Sequence, residues 1–97
     1  MGLYDDVNLF EALVALDSFD EAKKFLMDLC TLAEIETFSE RWKVCQLLAC
    51  GKFSYREIRK LTGASLTTIR RVARFLIDEP YGGYRSLLEK TQKRKEK

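Results

Sequence analysis

Residues 54–76 read SYREIRKLTGASLTTIRRVARFL. Ser54 and Glu57 stand three apart, the spacing of a capping box: the serine hydroxyl accepts from the third amide and the carboxylate reaches back to the cap. They open a short helix, 55–61, with Ile58 and Leu61 facing inward. Thr62-Gly63-Ala64 is a tight turn, in which Gly63 supplies the unusual backbone and Ala64 is small enough to let two helices approach. Ser65 caps a further helix, 66–77, with Ile69, Val72, Ala73 and Leu76 inward. Short helix, glycine turn and amphipathic second helix together define a helix-turn-helix.

The outward residues of this stretch carry the chemistry. Helix 66–77 presents Leu66, Thr67 and Thr68 at its leading end and Arg70, Arg71 and Arg74 further along. A helix that reads the major groove needs short side chains at its N-terminus, so that the backbone comes close to base edges and thymine methyls. It needs longer cations beyond them for phosphate or guanine. The first helix adds Arg56, Arg59 and Lys60, where it would cross the nucleic-acid backbone. The stretch holds six Lys/Arg against the single acid Glu57.

Charge is polarised along the chain. The net +2 is the sum of −6 over residues 1–50 (4 Lys/Arg, 10 Asp/Glu) and +8 over residues 51–97 (13 Lys/Arg, 5 Asp/Glu). A basic half on a globular chain points to a polyanion partner, and nucleic acid is the commonest one.

Helix signals fill the remainder. VNLFEALVAL (7–16) is a short apolar helix candidate. Ser18…Glu21 and Thr31…Glu34 are two more capping boxes. The first precedes a face of Phe19, Ala22, Leu26 and Leu29. The second precedes a longer, central helix with Ile35, Phe38, Trp42, Cys45 and Ala49 on one stripe, widened by Val44, Leu47 and Leu48, and ended by Gly51. Asp78-Glu79-Pro80 stops helix 66–77, and a last helix, 83–91, has Tyr84, Leu87 and Leu88 as its apolar side. The tail 93–97 is basic, lacks apolar residues and is expected to be mobile. The expected fold is all-α, about six helices in a single domain over 1–92. Residues 1–50 supply core and dimerisation helices, and 54–77 form the helix-turn-helix.

The ninety-seven residues are 46% hydrophobic and 33% charged, a globular mixture. No apolar run approaches roughly 18 residues, so no membrane span is expected, and no charged-then-apolar leader opens the chain. With no His and no Gly-rich phosphate loop, neither an enzyme nor a cofactor or metal site is expected. Cys30, Cys45 and Cys50 are odd in number and lack metal-ligand spacing, and they read as reduced, mostly buried residues of a cytosolic protein. Tyr55, Tyr81 and Tyr84 read as packing residues. Leu3, Val7, Leu9, Phe10, Leu13, Val14, Leu16, Phe19, Phe25, Leu26, Met27 and Leu29 give the first half more apolar surface than short helices bury alone. A chain this small buries only about 60–70% of its unfolded surface, so a homodimer is expected, with two recognition helices about 34 Å apart.

Four segments, LCTLAEIETFSERW (29–42), LLACGKFSYREI (47–58), TGASLTTIRRV (62–72) and GGY (82–84), resemble the Trp repressor superfamily, and within it the TrpR-like YerC/YecD group. The resemblance to the repressor covers about residues 28–77, and that to the YerC/YecD group nearly the whole chain. It implies an intertwined bacterial homodimer, cytoplasmic and nucleoid-associated, that represses transcription from a pseudo-palindromic operator in double-stranded DNA. It places DNA contacts at Arg56, Arg59, Leu66, Thr67, Thr68 and Arg70. Lys60, Arg71 and Arg74 are added from charge and face alone. The tryptophan pocket of the founding member would fall on Thr31, Arg41 and Arg71, but a pocket glycine is Val72 here and a ligand-holding serine is Phe75. The larger side chains fill the space an indole needs, so this departure from the family's pattern points to a vestigial pocket without a tryptophan co-repressor. A second reading stays open: a helical protein–protein interaction module whose basic face meets acidic surfaces and has no specific DNA site.

Overall fold

A computed structural model describes residues 6–95, with side chains up to residue 92. Six helices and no strands occur among the described residues: α1 (Leu9–Ala15), α2 (Phe19–Leu29), α3 (Leu32–Cys50), α4 (Tyr55–Thr62), α5 (Leu66–Ile77) and α6 (Gly83–Lys95). The all-α expectation is met. No described helix is long and apolar enough to cross a membrane.

Capping chemistry sets most of the boundaries. Asn8 and Glu11 form a reciprocal box that opens α1, with Glu11 N–H donating to Asn8 Oδ1 at 2.8 Å and Asn8 N–H to Glu11 Oε1 at 3.1 Å. This box was not anticipated, and it starts the helix at Leu9 rather than at 7. Thr31/Glu34 and Ser54/Glu57 are complete boxes as expected. Ser18 is only half of one. Its hydroxyl accepts from the Glu21 amide, but the Glu21 carboxylate accepts from Asp17 N–H instead of from the cap. The last helix runs past its expected end at 91 to Lys95. Gln, Lys and Arg are good helix formers and sustain it without an apolar face, and the Thr91 hydroxyl donates back to the Leu87 and Leu88 carbonyls. The expected mobile tail therefore has its first three residues in helix, while Glu96 and Lys97 lie outside the described residues, as does Leu3.

The chain divides into two compact units, residues 1–35 and 36–97. In the first, α1 and α2 contain no buried residue. Phe10 is 76% exposed, Val14 85% and Phe19 84%. Ala22 and Leu26 on the expected face of α2 are half-buried, but Phe19 and Leu29 are exposed among the described residues.

In the second unit Val44, Cys45, Ile58, Ala64, Ile69, Val72 and Leu76 form the core, ringed by Trp42, Leu47, Leu48, Phe53, Tyr84 and Leu88. Every inward position expected on α5 is buried. Leu61 is a correction: it is exposed, because the short helix α4 ends at Thr62 and Ala64 takes the core place next in line after Ile58. Phe38, Ala49 and Leu87 also stay exposed. The cysteines differ from expectation too, since Cys45 alone is buried, Cys30 is half-buried and Cys50 exposed. Burial pushes the Cys45 thiol up to about 11.

Candidate nucleic-acid interface

The turn between α4 and α5 is held by backbone and by two short hydroxyl side chains. Gly63 caps α4 in the left-handed region (φ 77°, ψ 0°) and its N–H donates to the Arg59 carbonyl at 2.8 Å. A side chain there would meet nothing within 4 Å, so the requirement is conformational rather than steric. The Thr62 hydroxyl donates to the Ile58 carbonyl at 2.7 Å and accepts from Ala64 N–H at 3.0 Å. Ser65 Oγ accepts from Thr68 N–H and lies 3.1 Å from Thr68 Oγ1. Beneath the turn, Ile58, Ala64, Ile69 and Val72 pack in one core. The two helices are thereby set as a rigid pair.

Their outward residues gather at two places. Arg56, Arg59 and Lys60 of α4 border an open notch of about 540 Å³ together with Gly63, Ala64 and Ser65, next to the N-terminus of α5. Thr67 and Arg70 are exposed, while Leu66 and Thr68 are half-buried. Among the described residues nothing pairs with Arg56, Arg59, Lys60, Thr67 or Arg70, which leaves their donors to solvent or a ligand. Three unpaired cations, Arg56, Arg59 and Lys60, beside a helix N-terminus make a concentrated positive field.

The second place is the far end of α5. The Arg71 guanidinium lies 4.6 Å from the Phe75 ring centroid, and that of Arg74 lies 5.0 Å from it. Arg74 Nε also approaches Glu79 Oε2 at 3.7 Å. Tyr81 stacks on Phe75. Sequence reasoning took Tyr81 for a packing residue but had no signal for its partner, nor for the role of Glu79, because both lie in the loop after α5 and only its path brings them back.

The positions compared with a ligand pocket are otherwise engaged. Val72 is 1% exposed and belongs to the core. Phe75 is half-buried under its two arginines. Arg41 is half-buried, and it and Arg71 are both felt by the Tyr84 hydroxyl. Burial raises the pKa of that hydroxyl, with help from Cys45, while the two guanidiniums pull it down. Tyr84 in turn stacks on Trp42, centroids 6.4 Å apart. Thr31, in the first unit, is used as the cap of α3.

A family model described as Trp repressor protein matches residues 7–92. The uncharacterised protein YerC of Bacillus subtilis is 40% identical over 68 residues, 70% of this chain, and the match spans 64% of that relative's length. Among solved structures, a Trp repressor candidate from Staphylococcus aureus is similar at TM-score 0.80 and 33% identity, covering 87% of this chain and 82% of that one. A TrpR-like protein from Eubacterium eligens is similar at TM-score 0.79 and 38% identity, covering 87% and 84%.

Proposed function

The chain belongs to the Trp repressor family, and on that premise we propose that it is a sequence-specific DNA-binding regulator of transcription, a repressor acting as a homodimer. Helix α5 enters the major groove of a pseudo-palindromic operator, with Leu66, Thr67 and Thr68 at base edges and Arg70 beside them. Arg56, Arg59 and Lys60 take phosphates where α4 crosses the backbone, and Arg71 and Arg74 add phosphate contacts further along. The single observation that carries this reading is the set of unpaired cations around the α4–α5 turn. A folded protein has no reason to crowd Arg56, Arg59 and Lys60 around one notch for stability alone, since like charges repel.

The dimer is supported by the uncovered apolar residues of the first unit. Phe10, Val14 and Phe19 together would be a large solvent cost on a monomer. Two chains sharing these helices make residues 1–92 one folded domain and present α5 twice. In this reading the protein is no enzyme, works in the cytoplasm on nucleoid DNA, and needs no tryptophan.

The test is selection of bound duplexes from a random pool at two salt concentrations. A palindromic consensus whose binding falls steeply with salt is expected. Recovery of no consensus, with acidic proteins captured instead, would favour an interaction module with a basic face.

A further inference from the structure

Arg71 and Arg74 share one aromatic ring. Both guanidiniums lie within 5.0 Å of the Phe75 centroid, and the Tyr81 ring packs against Phe75 at 6.2 Å and 20° from parallel. Helical spacing explains the first contact, because Arg71 is one turn before Phe75 on the same stripe. Arg74 directly precedes the ring and folds back to it. The negative face of the ring attracts both cations. Without it, two like charges on exposed, flexible stems would separate into solvent.

We propose that Phe75 is a positioning residue of the nucleic-acid interface, its ring holding the Arg71 and Arg74 guanidiniums ready for the phosphodiester backbone of DNA. The inference rests on the DNA-binding reading above. The chemistry selects phosphate. A guanidinium held over a ring still has N–H donors directed away from it, and these can grip a phosphate. Both arginines also sit in the later part of α5, whereas base edges are reached from its N-terminal residues. An arginine stem loses rotamer freedom when it binds, and a ring that restrains it beforehand removes part of that loss. Glu79 competes for Arg74 in the free protein, so the Arg71 contact gains more from the arrangement.

The experiment measures binding to a linear duplex of mixed sequence for the full chain and its variants, with thermal melting alongside. Phe75→Leu should weaken binding about three- to tenfold, and Phe75→Tyr, which keeps the ring, should bind as the parent does. In an Arg71→Gln/Arg74→Gln background Phe75→Leu should change nothing further. Unaltered binding by Phe75→Leu in the parent background overturns the proposal. So does an equal loss in the background without the arginines, because the ring would then act only through the fold. If Phe75→Leu fails to fold, the Nε–H resonances of Arg71 and Arg74 in the parent protein decide. Ring-current shifts to high field are expected, and ordinary random-coil positions sink the idea. A parent protein that binds no duplex at all overturns the DNA-binding reading itself, and this inference with it.

Discussion

Arg85 Nη1 donates a hydrogen bond to the Leu76 carbonyl at 2.6 Å, tying α6 to the end of α5. That carbonyl is among the last four of its helix, which have no partner within it. The link fixes the end of α5 opposite the one assigned to base edges. Arg85→Ala should cost about 1.5–3 kcal/mol in urea unfolding, the range for a hydrogen bond made by a charged group. Stability unchanged within error would show that solvent replaces the bond.

Thr67 and Arg70 are exposed and unpaired among the described residues, so neither supports the fold. Thr67→Ala and Arg70→Ala should each weaken binding to a selected duplex by about 1–3 kcal/mol. Melting temperatures should stay within a degree or two. Equal affinity for both variants on every duplex would move the function away from α5.

Much of this second unit was legible in the sequence, for a physical reason. Ile69, Val72, Ala73 and Leu76 bury against residues of the same unit, so their helical spacing alone indicates the inward face. Gly63 was legible because a positive φ is a local demand. Phe19 and Leu29 show the opposite case. Their spacing marks an apolar face, but spacing does not say whether the covering surface belongs to the same chain. The Arg71–Phe75 contact lies one helical turn apart and was open to reading. The Tyr81 stack and the Arg74–Glu79 pair depend on the path of a loop, which no periodicity encodes.

Val72 is sealed in the core and Phe75 lies against the Arg71 guanidinium. Calorimetric titration with tryptophan should therefore give no saturable heat up to about 1 mM, the concentration matching a binding free energy near −4 kcal/mol. The amino acid should leave duplex affinity unchanged. Micromolar binding would mean that the ring and the valine move aside.

The three thiols should separate by reactivity. Cys50 is exposed and should react with an alkylating reagent near neutral pH, whereas Cys45 should react only on unfolding. The same burial gives a pH signature. The folded Cys45 pKa of about 11 stands above its ordinary value of 9.0, so the unfolded chain loses this proton first as pH rises. Cys45 thus contributes stability that is whole below pH 9.0 and declines toward about 11. Cys45→Ala should flatten the part of the stability–pH profile that falls in this window. An unchanged profile would assign the decline to other groups.

In the proposed reading, two copies of α5 enter successive major grooves. Dimethyl sulfate footprinting on a selected duplex checks this, because the reagent methylates guanine N7 on the major-groove side. Two protected blocks, centred about 10 base pairs apart on one face of the duplex, are the expected result. Guanines that stay fully reactive on a saturated duplex, or protection of a single block, would contradict it.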